Sequence, residues 1–345
     1  MVNDTLNKVK KVFIPVILSG EYTSFPVTFS TFPLKCIVLS GFIGMSKKIF
    51  TITGIAFLKL LSALPLPVLY LVSDLMYPVV YRLVRYRRKV VRMNLTNAFP
   101  GKSEEQLIET ERDYYRNLCD IMVETIKTRG MTREELCERM HFRNPGLINN
   151  EFESGKSVVV IAAHMGNWEW LLHMPLFVRH QLFFVYKPLE DTLFDRYLNL
   201  VRQKYGGETV PMSLILKKLL DKKDSGMPVM TWLAADQTPP WNHPFWTMFL
   251  HQKTQFFNGP AKLAQRFDFP VFFQRVKRIR RGYYETWFES LTDKPREVSE
   301  EAIIHSYVRK IEGIIAETPE DYLWSHRRWK NSRHAPENFF ANLPH

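Results

Sequence analysis

Cysteine is scarce in this chain of 345 residues. There are three, Cys36, Cys119 and Cys137. They stand far apart, form no pair with metal-ligand spacing, and are odd in number. A disulfide framework is not indicated, and a reducing compartment fits. No Gly-x-Ser-x-Gly elbow and no His-Glu-x-x-His run occurs, so neither of those hydrolase signatures applies. His173, His180, His243, His251 and His305 show no ligand spacing and read as surface or packing residues. Internal repeats and low-complexity tracts are missing. So are helix-turn-helix, zinc and RNA-recognition patterns, which leaves nothing to indicate nucleic acid as a partner. Acidic residues are also in deficit, with 35 Asp and Glu against 47 Lys and Arg, a net charge of +12. An anionic partner is implied, such as a membrane surface, a phosphorylated substrate or an acidic protein.

What the chain does have is apolar mass. Hydrophobic residues make up 46% and aromatics 14%, ample for a large core and suited to contact with lipid or large apolar ligands. Residues 1–44 show no sustained period and are expected to be dispensable, with Met45 as a candidate native start. From Met45 the basic opening "MSKKIF" leads into residues 49–81, which are mostly apolar and broken only by Lys59, Asp74 and prolines. A clean spanning helix needs about 20 apolar residues with few charges. This run is imperfect, so three arrangements stay open: a span kinked at Pro65 and Pro67, a helix lying partly in the interface, or a buried core helix pair. Arg82, Arg85, Arg87, Arg88, Lys89 and Arg92 follow directly, as basic clusters do beside anionic cytoplasmic headgroups. The expected organisation is an unmatched start over 1–44, a membrane-anchoring helical segment over 45–95, a catalytic-type α/β domain over 96–335 with a helical lead-in to 150, and a tail over 336–345.

Ser103 with Gln106 predicts a capping box that opens a long helix closed by Gly130, and Thr132 with Glu135 repeats the device. From residue 155 strands alternate with helices. "SVVVIAA", "LFFVYKP", "PVMTWLAAD", "VFFQRVKRI" and "YYETWFESL" read as strands, the last two joined at Arg281–Gly282. The fold class is therefore α/β, a mixed, largely parallel central sheet flanked by helices, with an N-terminal membrane-associated helical segment.

The strand "VVVIAA" ends in His164, with Glu169 five residues on. Ligands of open α/β sheets bind at the carboxyl ends of strands. If the chain turns tightly at Gly166, the Glu169 carboxylate folds back toward the imidazole and makes His164 a general base for a hydroxyl. The alternative is a helix-capping histidine beside a solvated glutamate. Asp236 and Gln237 end the strand "PVMTWLAAD", so they belong on the same sheet edge, lining the cleft or capping the strand. Asn167 holds the turn or binds substrate. Lys187 also follows a strand. Arg202, one turn before Gly206, is a candidate for a phosphate or an oxyanion. Arg327 and Arg328 suit phosphates of headgroup or substrate, or else form a solvated basic turn.

His-x4-Glu after an apolar strand resembles the glycerolipid acyltransferase superfamily. The fuller "AAHMGNWEW" is similar to its lipid A biosynthesis branch, the late lauroyl and myristoyl acyltransferases. Further blocks follow in order: "VYKPLEDTLFDRYLNLVRQKYGGE", "LAADQT", "FFNGPAKLAQRFDFPVFF" and "TPEDYLWSHRRWK". Together they span about residues 50 to 335, and the ordered ensemble is far more specific than any one block. Two positions depart from the pattern. Lys187 stands where the family has arginine, and Leu250–His251 where it has Phe-Gly.

The resemblance implies a membrane-bound enzyme with its active domain on the cytoplasmic side of a bacterial inner membrane. It implies direct transfer of an acyl group from an acyl carrier protein thioester to a hydroxyl of a lipid A precursor. His164 would act as base and Glu169 would orient and charge it, with no cofactor and no metal. It further implies substrate-binding roles for Asn167, Lys187, Arg202, Asp236, Gln237, Arg327 and Arg328. Two other functions remain at this stage: the same chemistry on a glycolipid, aminolipid or lysophospholipid, and a non-catalytic basic protein of the membrane surface.

Overall fold

The computed structural model describes residues 35–222, 226–240, 242–243 and 245–336, and of residues 35–47 the backbone alone. Most of the 1–44 segment and nearly all of the expected tail lie outside the described residues. Helix α1 (Lys35–Ser62) runs through Met45 without a break, so ten residues of the 1–44 segment are helical. Helix α2 (Leu66–Pro78) starts behind Pro65 and continues as a π-helical turn, Val79–Leu83. Pro67 lies in the first turn of α2, where a missing N–H costs nothing. Helix α3 (Arg88–Ala98) and the long α4 (Glu104–Thr128) follow.

Ser103 caps α4 by accepting from the Gln106 N–H, and the Gln106 side chain accepts from the Ser103 N–H, completing the capping box. Thr132 caps α5 (Arg133–Arg139) through the Glu135 N–H.

The α/β portion contains β1 (Met140–Phe142), α6 (Pro145–Glu153), β2 (Val158–Ala162), a 3₁₀ helix (Trp168–Leu176) and β3 (Gln181–Tyr186). It continues through α7 (Thr192–Arg202), β4 (Glu208–Pro211), α8 (Ile215–Lys222) and β5 (Val229–Ala234). The hairpin β6 (Trp246–Phe249) and β7 (Gln252–Gln255) leads to α9 (Gly259–Phe267), β8 (Val271–Arg280), β9 (Tyr283–Thr292) and α10 (Glu300–Glu317). Seven strands form one sheet in the order β1-β9-β8-β2-β5-β3-β4. Every pairing in it is parallel except β8 with β9. That hairpin turns at Arg281–Gly282, as its sequence predicts. The strand β2 sits centrally with all five residues buried, which is why it reads as an unbroken apolar run.

The helices of the 45–95 stretch are not a detached anchor. Leu66, Leu69, Val80, Tyr81 and Val91 belong to the same hydrophobic core as Val159, Phe273 and Trp324. Polar bonds reinforce the seat. Ser73 Oγ donates to Asp120 at 2.7 Å, and Tyr70 Oη donates to Glu124 at 2.7 Å, both on α4. Arg281 reaches Asp74 and the Tyr70 carbonyl. Gly282 (φ +74°) admits this approach, since a Cβ there would stand 2.1 Å from the Tyr70 hydroxyl. The basic cluster after α2 is partly consumed by the fold. Arg88 and Arg92 both pair with the buried Glu111, at 2.7 and 2.5 Å, and Arg87 donates to the Ser325 carbonyl. Arg82, Arg85 and Lys89 remain exposed.

The Leu250–His251 departure occupies the two-residue turn between β6 and β7. Both residues are left-handed, with φ of 49° and 64°. Two-residue hairpin turns of this hand favour glycine, and an L-residue there is strained by roughly 1–2 kcal/mol. The His251→Gly variant is therefore expected to be more stable by about 0.5–1 kcal/mol once glycine's greater unfolded-state freedom is subtracted. Urea unfolding of the two proteins checks this, and equal midpoints would contradict the strain.

Candidate active site

Strands β2 and β5 pair in parallel with Ala162 opposite Ala234. Two residues past each lie His164 and Asp236, so the register alone sets them side by side at the carboxyl edge. The Asp236 carboxylate accepts twice from one residue: from the His164 backbone N–H at 3.1 Å and from imidazole Nδ1 at 2.7 Å. A carboxylate can only accept, so Nδ1 carries the proton and Nε2 presents its lone pair. Gln237 Nε2 stands 3.3 Å from His164 Nε2, an amide donor on that lone pair. Burial pushes the Asp236 carboxyl up, but the imidazole, its two hydrogen bonds and the nearby Arg328 outweigh this and hold it below its ordinary value. The Trp168 ring packs edge-on against the imidazole at 5.1 Å.

The turn that delivers His164 is strapped from behind. Gly166 (φ +51°) donates its N–H to the Asp321 carbonyl at 3.0 Å, and Leu323 N–H donates to the His164 carbonyl at 3.2 Å. A Cβ on Gly166 would come within 3.2 Å of Val276 Cγ1. The closing block "TPEDYLWSHRRWK" therefore helps build the His164 turn rather than a separate surface.

Glu169 corrects the sequence-based expectation. Its carboxylate is held by Arg202, with Nη2 at 2.6 Å and Nε at 3.3 Å, a two-pronged pair across to α7. Among the described residues no bond joins Glu169 to His164, and Asp236 occupies the orienting place. The reason is geometric. The residues after Asn167 form a 3₁₀ helix instead of a tight reversal, and Arg202 competes for the carboxylate. Asn167 is also not at a substrate surface. It is fully buried, and both ends of its amide are engaged within the protein. Arg328 is buried as well, donating to the Gln255 carbonyl and stacking on Phe256 at 4.2 Å. Arg327 is exposed.

A cavity of about 970 Å³ opens beside the imidazole. His164, Glu169, Lys187, Arg202 and Gln237 line it, whereas Asn167, Asp236, Arg327 and Arg328 stand outside. Its walls are mostly hydrocarbon, among them Leu172, Phe184, Trp232, Leu233 and Val201. Lys262, Arg266 and Lys330 add cations to the lining. Sequence reasoning passed over these three, although Lys262 and Arg266 lie four residues apart on α9, the spacing of one helix face. Among the described residues, no group of three His, Cys, Asp or Glu could hold a metal.

An imidazole held by a buried carboxylate at the wall of a hydrocarbon-lined cavity suits an enzyme that acylates a hydroxyl. The class is thus that of the acyltransferases. Residues 44–331 match the family model described as bacterial lipid A biosynthesis acyltransferase, and the chain belongs to that family. A search of curated proteins returns no match.

Two outcomes follow from this geometry. Asp236→Asn loses the charge that supports the imidazolium and frees the ring to take the wrong tautomer. Turnover should fall roughly 10²–10⁴-fold, and steady-state rates of the pure variant measure it. Separately, Asp321 is pushed up to about 7, chiefly by burial and next by Glu320, against Arg278 and the Asn117 hydrogen bond. The folded chain then holds a proton that the unfolded chain has already released. Stability from this group therefore declines as pH rises from the ordinary carboxylate range through about 7. Melting temperatures measured from about pH 5 to 8 should show that decline, and Asp321→Asn should flatten it.

Proposed function

We propose that the chain transfers a fatty acyl group directly from an acyl carrier protein thioester to a hydroxyl of a lipid A precursor. The observation that carries the proposal is the Asp236-held imidazole at the cavity wall, its Nε2 lone pair met by the long 3.3 Å contact from the Gln237 amide, which a substrate hydroxyl can displace. His164 Nε2 takes the hydroxyl proton while the oxygen attacks the thioester carbon. Asp236 stabilises the imidazolium that results. The carbonyl oxygen gains charge in the tetrahedral intermediate, and Arg202, fixed by Glu169, is the cation of the cavity suited to balance it. The carbon–sulfur bond then breaks, and the imidazolium returns its proton to the departing thiolate. The products are an ester and a free carrier thiol, so atoms and protons balance.

The cations Lys187, Lys262, Arg266 and Lys330 suit a phosphorylated acceptor or the acidic carrier. Acylation of another lipid by the same chemistry is the second reading, and the acceptor decides between them. A non-catalytic membrane-surface protein is not favoured, because the chain belongs to an acyltransferase family.

We place this enzyme on the cytoplasmic face of the inner membrane, with α2 lying in the interface rather than crossing it. Among the described residues, Leu66–Leu83 is the stretch long and apolar enough to span. Yet one of its faces packs on α4, with Tyr70 and Ser73 bonded to it and Asp74 paired with Arg281 of the β8–β9 turn. The other presents Val68, Leu71, Leu75, Val79 and Leu83 to the outside. A helix with one face spoken for by buried carboxylates and the other bare and apolar suits a flat seat in the headgroup boundary.

The activity test is acyl transfer by the purified full chain from an acyl-carrier thioester, with and without a lipid A precursor. Wild-type protein should require both, and His164→Ala should retain less than about a hundredth of the rate. Activity above a tenth in that variant would sink the base assignment. For the membrane, Leu71→Asp with Leu75→Asp should abolish sedimentation with anionic vesicles and leave the fold intact. Undiminished sedimentation would rule out the interfacial seat.

A further inference from the structure

Glu124 has no place in the chemistry above, yet the turn that carries it is built on this residue. Glu124 lies in the last turn of α4 and is fully buried. Its carboxylate receives three hydrogen bonds. Tyr70 Oη donates to Oε1 at 2.7 Å, while Asn167 Nδ2 at 2.7 Å and Tyr284 Oη at 2.8 Å donate to Oε2. The Trp170 indole N–H donates to the Glu124 backbone carbonyl at 3.2 Å.

Asn167 passes this anchorage on. With its nitrogen committed to Glu124, its Oδ1 accepts the Trp170 backbone N–H at 3.1 Å and caps the 3₁₀ helix that holds Glu169. The amide can point only one way, since a carboxylate demands a donor and an N–H demands an acceptor. Gly166 on one side and Trp168 on the other fix the ends of the same turn, and His164 stands two residues before Gly166.

We infer that Glu124 is a positioning residue for the transfer reaction. Acting through Asn167, it sets the turn between His164 and Glu169 and keeps the base in register with the Glu169–Arg202 pair. The inference rests on the assignment of His164 as base. Displacement of a reacting group by about 1 Å costs on the order of a hundredfold in rate, so a turn that merely relaxes is enough to lower turnover.

A charge exchange tests it, using the full chain in mixed micelles with the carrier thioester and the lipid A precursor. Asn167→Asp keeps an oxygen for the Trp170 cap but sets a second carboxylate against Glu124. We expect kcat to fall at least about tenfold with KM little changed. Adding Glu124→Gln to that variant restores a donor–acceptor pair in reversed order and should recover most of the loss. Glu124→Gln alone should cost less than Asn167→Asp alone. Wild-type kcat in Asn167→Asp, a loss confined to KM, or no recovery in the combined variant would each overturn the inference.

Should Asn167→Asp fail to fold, Asn167→Ser serves instead. Serine can cap the helix but cannot reach Glu124, so the melting temperature should drop, and kcat should fall even when assayed well below it, where the variant is fully folded; an unchanged kcat there overturns the inference. His164→Ala is run in parallel. Activity surviving there would fail the base assignment itself, a result separate from any behaviour of the Asn167 variants.

Discussion

The parallel register of β2 and β5 is the constraint on which the site depends. Ala162 lies opposite Ala234, and the next residues but one are a histidine and an aspartate. A slip of one residue would send each side chain to the opposite face of the sheet. The register is protected by burial. All five residues of β2 are packed on both faces, and Tyr307 from α10 donates to the Ala162 carbonyl at 2.7 Å where the strand ends. The core that stabilises the fold thus sets the position of His164 to within a hydrogen-bond length. The loop after β2 then needs only to turn away, which Gly166 and the strap from Asp321 to Leu323 accomplish.

The sequence revealed elements better than partners. Caps at Ser103 and Thr132, the turn at Arg281–Gly282 and the strand ending in His164 are local features, set by residues a few positions apart. Long-range pairing is not local. His164 and Asp236 are 72 positions apart, and nothing near either one announces the other. One signal did exist: "AAH" and "AAD" close two strands of like character at the same offset. In a parallel sheet that echo is a prediction of adjacency. The spacing of five that drew Glu169 to His164 assumed a turn at Gly166 tight enough to fold the carboxylate back. The 3₁₀ helix that formed instead leaves Glu169 to Arg202, whose place on α7 is settled by tertiary packing.

Basic residues show the same limit. A run of arginines in sequence looks like a uniform surface charge, but a buried acid redistributes it. Glu111 is completely enclosed and takes both Arg88 and Arg92, since a lone carboxylate in the core would be very costly. Arg328 goes inward for a related reason, stacked on Phe256 with its charge near Asp236. These cations stabilise the protein interior, and those left for a phosphate or a headgroup are fewer than the count suggests. Lys262 and Arg266, to which the sequence reading gave no role, stand at the cavity.

The face of α4 that carries Asp120 and Glu124 has a practical consequence. These two carboxylates accept bonds from Ser73 and Tyr70 of the apolar helix, so that helix is a wall of the enzyme. Soluble fragments of membrane enzymes are commonly sought by trimming the greasy amino-terminal stretch. Here such trimming would strip donors from two interior acids and uncover the face of α4 on which the helix packs. The trimmed polypeptide would lose part of its folding energy. Preparations of this protein should therefore retain the helix and shield its outer face with detergent, nanodisc or amphipol.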